Sequence, residues 1–354
     1  MLILASFGYL YLTDKWSLVM VLGLTGFSYF FGSLIHNQKK QGLYHFLGVA
    51  GILAVLIVFK YLGFLSGTIN ALFSFAEGLP SFDITRLILP LGISYIVFKH
   101  ISYLTDIKWG LVSPGRLDDF LLYSSLFTIF VAGPIERFER FRPQVEQDKL
   151  AFAWNDIEFG FRRIVFGMFR KLVIADWIGY FISPVWQDPG QYAFGIRVLA
   201  LFGFSIQIYM DFAGYSDIAI GSSRLFGIRI MENFRNPYLA PNISQFWRRW
   251  HISLSDWIRD YLFFPLSRLG KNKLWLKLVV PVISMALCGL WHGAAWHFVV
   301  WGVLHGLGLA IFQFWSDLKR RHTDLYRLTK STWFGYAAVL MNFIFVTLIW
   351  GWFV

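Results

Sequence analysis

The stretch CGLWHGAAWHF, residues 288–298, lies inside a 37-residue run, Val279 to Trp315, that contains no Lys, Arg, Asp or Glu. As a single helix this run would be about 55 Å long, nearly twice the roughly 30 Å of a bilayer's hydrocarbon core. It must therefore break or turn. Gly289 and Gly293, with Ala294 and Ala295, mark the place, because glycine relaxes the backbone and small residues four apart let another helix approach closely. Gly302 and Gly306 repeat the device. His292 thus falls at an irregular point deep in the protein, which is tolerated only where protein or a water-filled cavity surrounds it.

Working outward, the whole chain is too apolar for a soluble globule: 56% hydrophobic, 20% aromatic and 15% charged residues, with a mean hydropathy of +0.54. Trp16 to Ile35, Leu43 to Phe59 and Trp333 to Val354 come close to the length of a spanning helix. Shorter or interrupted candidates are Leu2 to Leu12, Tyr61 to Phe75, Leu87 to Phe98, Phe120 to Ile135, Leu172 to Trp186 and Val198 to Ile220. With the 279–315 run folded into two, roughly nine to eleven spans or re-entrant half-spans are expected. The composition predicts an all-α polytopic membrane protein. No basic region precedes the apolar start at Leu2, so no cleavable signal is expected. No repeat or linker divides the chain, which is read as one domain, 1–354, with polar connections at Glu136–Asp156 and Leu225–Pro241.

Thirty-two Lys plus Arg against 21 Asp plus Glu give a net charge of +11. The excess concentrates between Arg224 and Lys273, which predicts a cytoplasmic face and attraction to anionic headgroups, with room for an acidic donor molecule. Nucleic acid is not expected, since these basic residues alternate with Trp, Phe and Leu. In NISQFWRRWHISLSDWIRDYLFFPLSRL, residues 242–269, Phe246, Trp250, Trp257, Tyr261 and Phe264 recur at spacings of 3, 4 or 7. That pattern predicts an amphipathic helix lying in the membrane interface.

Histidines at membrane depth line pathways or sites, or serve as neutral rings bonded between helices. The second role is expected for His297, whereas His36, His45 and His100 are read as interface residues and His322 as solvated. His292 and His297 are five apart with no glutamate near, so no metal site is expected. The single cysteine, Cys288, has no partner within the chain and is read as a packing residue. Asp211 and Asp217 either orient a histidine or pair with an arginine such as Arg197 or Arg224.

Five stretches together carry a family pattern: LPLGISYIVFKHISYLTD (89–106), VAGPIERFERFRPQ (131–144), DFAGYSDIAIGSSRLFGI (211–228), the 232–266 segment ending in RRWHISLSDWIRDYLFFPL, and GLWHGAAWHFVVWGVLHG (289–306). The sequence resembles the membrane-bound O-acyltransferases, within them the bacterial branch of alginate O-acetylation and teichoic acid D-alanyl transfer proteins. The similarity begins one span late and the chain stops soon after a late GW pattern, so peripheral helices of the family are expected to be missing. The resemblance implies a core with a tunnel or funnel, in the bacterial cytoplasmic membrane. It implies acyl transfer from a cytoplasmic thioester donor, a phosphopantetheine carrier protein or acyl-CoA, to a hydroxyl of an envelope or exported polysaccharide, with no bound cofactor. Acetyl is the expected group, with D-alanyl transfer toward teichoic acid as the alternative. An extracytoplasmic acyltransferase or esterase-like partner is implied too.

The family's invariant histidine falls on His292 and its second catalytic position on His251, while Trp250, Ser253, Arg259 and Asp260 belong to the element that shapes the pocket or donor entrance. Trp291 and His305 complete the expected substrate-binding set. A general base at His292 is worth about 10² to 10⁴ in rate, because a sugar hydroxyl is a poor nucleophile. Outside this class, a proton-coupled transporter could use Asp211, Asp217 and the histidines as a path.

Overall fold

The computed structural model describes residues 1–73, 89–146, 153–270 and 272–353. Parts of four expected features, residues 74, 75, 87, 88 and 354 of three spans and 147–152 of a polar connection, lie outside the described residues. The described residues are helical and irregular, without strands. The helices are α1 (Leu2–Thr13), α2 (Lys15–Asn37), α3 (Gln41–Leu56), α4 (Leu62–Phe73), α5 (Ile93–Lys108), α6 (Leu117–Ser125), α7 (Phe138–Val145), α8 (Trp154–Met168) and α9 (Asp176–Gln187). They continue as α10 (Phe194–Leu225), α11 (Ile243–Trp247), α12 (Ile252–Ile258), α13 (Phe264–Ser267), α14 (Val280–His292), α15 (Trp296–Arg321), α16 (Thr323–Leu328) and α17 (Thr332–Trp350).

Six helical runs among the described residues are long and apolar enough to cross a membrane: Lys15–Asn37, Gln41–Leu72, Phe194–Leu225, Trp275–His292, Trp296–Arg321 and Thr332–Trp350. The protein is a multi-pass membrane protein. These six are full-length runs among the described residues, whereas the roughly nine to eleven expected included half-spans. Leu43–Phe59 and the described part of the next span, from Tyr61, merge, because a π-helical turn at Ile57–Tyr61 carries the helix through. Phe120–Ile135 is no span: α6 ends at Ser125 and the chain turns irregularly until α7. The 136–156 connection holds α7, with Pro143 inside it.

The chain forms two compact units, one of Met1–Ile157 with Ser223–Ile230 and one of Glu158–Ser222 with Met231–Val354. In the first, α2, α3 and α5 pack together and Tyr103, Phe120 and Phe138 build an aromatic core. His100 belongs to that core rather than to an interface. It is fully buried, its ring bonded to Ser28 Oγ at 2.9 Å and Ser124 Oγ at 3.0 Å, so both nitrogens are satisfied without water. His45 lies against α5 through Thr105 Oγ1, at 3.1 Å.

The second unit is organised by the α14–α15 hairpin. The 279–315 run breaks where glycine placed it: Gly293 and Ala295 are extended, α14 stops at His292 and α15 restarts at Trp296. The two helices then run in backbone contact. A Cβ on Gly289 would strike the Phe298 carbonyl, one on Gly302 the Met285 carbonyl, and one on Gly306 would lie 2.6 Å from Val282 Cα. In the same unit Asp217 is held by Arg163, at 2.5 Å, and by Arg170, while Asp211 pairs with Lys171 at 2.6 Å. The ion-pair alternative holds for both aspartates, with other partners than Arg197 and Arg224; Arg224 engages Asp156 instead, at 2.5 Å.

The 242–269 segment departs most from its sequence reading. It is not one interfacial helix but two pieces, a short α11 and a run from Ile252 to Ser267 in which a π-helical turn at Arg259–Phe263 joins α12 to α13, and Phe246, Trp250 and Trp257 are buried inside the protein. Their helical spacing marked a face, and that face meets neighbouring helices instead of lipid.

Candidate functional site

His292 is the last helical residue of α14, held where the backbone leaves the helix. Its ring sits in an aromatic box, 5.0 Å from Trp291, 5.2 Å from Trp301 and 5.3 Å from Phe353 between centroids. The residue stays partly accessible, although Nε2 itself is buried. One turn after Trp301 on α15, the fully buried His305 lies 4.7 Å from the Trp301 ring and 5.1 Å from that of Trp247. Trp301 is thus the shared wall between the two imidazoles.

His251 reaches the same cluster from the turn between α11 and α12. It has φ = 41°, a left-handed backbone that costs a residue with a Cβ on the order of 1 kcal/mol or more and persists only where its surroundings impose it. The imposing residue is Asn233. Its carbonyl accepts from Ile252 N–H at 2.9 Å, and its side-chain oxygen accepts from Ser253 N–H at 3.2 Å and Ser253 Oγ at 2.7 Å. Its amide nitrogen donates to Ser216 Oγ at 3.2 Å, anchoring the turn to α10. So placed, the His251 ring packs 4.6 Å from Phe212 and 6.1 Å from Trp291, which separates it from His292 by one indole.

Burial holds His251 well below the usual histidine range, and the His292 ring adds to the effect. Neither ring nitrogen of His251 or His305 has a hydrogen-bond partner among the described residues. A buried neutral imidazole offers one N–H donor and one acceptor, and leaving both idle is costly in a purely structural residue. The arrangement can therefore receive a polar ligand, donate to a developing oxyanion and take up a proton.

Of the expected substrate-binding set, Trp291 and His305 stand with the two candidate catalytic histidines. Trp250 lies instead among Phe234, Phe246 and Trp350, where it supports the His251 turn from behind. The hydroxyl of Ser253 is committed to Asn233. Arg259 is half exposed and bonded to Asp256 at 2.5 Å and Asp260 at 2.8 Å. It lines, with Arg248 and Asp256, a cavity of about 580 Å³ that extends to Trp247, Ser284 and Cys288. Cys288 lies one turn before His292 on α14, and Trp247 packs on His305, so the inner wall of this cavity backs onto the histidine cluster. His297, five residues on, is exposed and bonds the Trp352 carbonyl at 3.0 Å.

Asn233, Phe212, Trp301 and Phe353 were not legible as site residues. A lone asparagine in a loop carries no periodic signal, and the aromatics are hidden among 38 Phe and 16 Trp. Trp301, four residues before His305, was the one accessible clue.

Residues 111–351 match the family model of MBOAT, the membrane-bound O-acyltransferase family. The chain is 36% identical over 303 residues to the "Probable alginate O-acetylase AlgI" of Pseudomonas putida, covering 83% of this chain and 61% of that protein. It is 30% identical to the "Peptidoglycan O-acetyltransferase" of Helicobacter pylori, over 99% of this chain and 70% of that protein. It is also 30% identical to the "Teichoic acid D-alanyltransferase" of Bacillus subtilis, over 89% of this chain and 79% of that protein. The chain thus spans about three fifths of the alginate-type relative. The matched region contains all three clustered histidines, the turn that presents His251 and the hairpin that presents His292, and the chain belongs to the membrane-bound O-acyltransferase family.

Proposed function

We propose that this protein transfers an acyl group, acetyl in the first instance, from a thioester donor to a hydroxyl of an envelope polysaccharide. The observation that carries the reading is the pairing of His251 and His292 across Trp291, with both ring nitrogens of His251 idle among the described residues beside a polar-mouthed cavity. His292 takes the proton of the attacking hydroxyl as its oxygen bonds to the thioester carbonyl carbon. The neutral His251 donates its one N–H to the carbonyl oxygen, which gains charge in the tetrahedral intermediate. Collapse breaks the carbon–sulfur bond, and the thiolate leaves with the proton that His292 had taken.

The donor is a phosphopantetheine carrier or acyl-CoA, entering by the cavity lined by Arg248 and Arg259. Arginines at the mouth suit its phosphate. Inside, Ser284 Oγ and Trp247 Nε1 are buried without partners among the described residues, as a wall awaiting a polar, amide-bearing arm would have them. The acceptor side involves the polysaccharide itself or an extracytoplasmic acyltransferase that relays the group. D-alanyl transfer from a carrier protein uses the same chemistry, and the long match to the Bacillus subtilis relative favours it as the second reading.

The test is reconstituted protein given labelled acetyl-CoA or acetyl-carrier with a polysaccharide acceptor. Wild-type protein transfers label, and His292→Ala retains its melting temperature while losing about 10² to 10⁴ in rate. Full activity in that variant removes His292 from the mechanism. Uptake of solute into vesicles driven by a proton gradient, without any donor, establishes the transporter instead.

A further inference from the structure

A second cavity, about 600 Å³, runs between α15 and α17. From α15 it is lined by Gly308, Ile311 and Trp315, three positions on one helical face, and from α17 by Gly335, Ala338 and Met341. Gly335 has no atom within 4 Å of where a Cβ would stand, so the groove is open there, whereas at Gly308 the Phe345 ring of α17 packs close and bounds it. From Phe334 to Phe345 the lining covers about 16 Å of helix, a length suited to an extended hydrocarbon chain. The groove is therefore long and mostly apolar, with Asn242 and Asn342 as further polar residues of its lining.

Its two ends differ. Lys319 and Thr329 line the end where α15 gives way to α16, within a stretch of the chain rich in basic residues. Residues 319–331 contain Lys319, Arg320, Arg321, Arg327 and Lys330 against the single acid Asp324. Asp317, just before them, is consumed by Lys277 and Arg320. Lys319, Arg321 and Arg327 form no ion pair among the described residues. An unneutralised cation at the head of an apolar groove between two spans complements a molecule with a negative head and a hydrocarbon tail.

We propose that this groove binds an anionic phospholipid, its phosphate at Lys319 and one acyl chain laid between α15 and α17. A zwitterionic lipid fits the apolar part equally, but it brings its own cation into an already basic cluster. The charge at the groove's head thus selects for a net negative headgroup. The binding is independent of acyl transfer, so it stands or falls apart from the proposed activity.

The experiment uses the full chain, stripped of lipid in a neutral detergent and titrated with phosphatidylglycerol or phosphatidylcholine of matched chains. Retention is followed by native mass spectrometry and stability by melting temperature. Phosphatidylglycerol is expected to bind more tightly and raise the melting temperature, while inorganic phosphate alone does neither. Lys319→Ala should weaken phosphatidylglycerol about fivefold without affecting phosphatidylcholine, and Ala338→Phe, which fills the groove, should weaken both. Equal response to the two lipids overturns the proposal, as does phosphatidylglycerol binding undiminished in either variant. Lys319 lies in the last turn of α15 and is not among the buried residues, so its variant decides the matter even if Ala338→Phe does not fold.

Discussion

At the scale of single residues, the site depends on an asparagine as much as on its histidines. Asn233 is fully buried and holds the left-handed turn at His251 through both its backbone and its side chain. Replacing it with alanine leaves Ser253 N–H, Ser253 Oγ and Ser216 Oγ short of a partner and removes the restraint on a strained φ. Asn233→Ala should therefore lower stability by about 2 kcal/mol and abolish transfer. Ser253→Ala, which leaves the backbone bonds to Asn233 in place, should cost about half as much. Melting temperatures in detergent with parallel activity assays check both, and equal effects would show that Asn233 acts only as a packing residue. The sequence pointed to His251 and His292 through their motifs, but the side chain that aims His251 lies 18 positions upstream and became visible only once the turn was folded.

At the scale of elements, the α14–α15 hairpin rests on glycines that admit no side chain. Gly289 faces the Phe298 carbonyl, and backbone cannot yield as a flexible side chain does. Gly289→Val is expected to destabilise the protein by about 1–3 kcal/mol or more and displace His292, with activity falling further than stability. Gly26→Val on α2 is the control: nothing lies within 4 Å of its Cβ position, so only helix propensity is at stake, below about 1 kcal/mol. Comparable losses at both positions would refute the close-approach account. The hairpin was legible because 37 uncharged residues exceed the membrane's thickness and glycine marked the break. The 242–269 segment was misread because aromatic spacing reveals a face, and cannot tell whether lipid or protein covers it.

At the scale of the molecule, the charge bias makes a prediction about topology. The basic 224–273 region and the basic end of α15 should both face the cytoplasm. Arg268→Cys and Arg320→Cys, each exposed, should resist a membrane-impermeant maleimide in intact cells and react after permeabilisation. The native Cys288 is buried and adds no background. Labelling of either position in intact cells would reverse the orientation. What the sequence determined by itself was the membrane as solvent, the all-helical class, the broken run at Gly293 and the family that His292 and His251 identify. These follow from composition, length and local spacing, which act along the chain. Tertiary structure alone decided that Trp291 and Trp301 join three histidines distant in sequence, that Asn233 imposes the His251 turn, and that His100, Phe246, Trp250 and Trp257 are core. Those outcomes depend on which surfaces meet, and the free energy of burial and of satisfied hydrogen bonds is assigned only when they do.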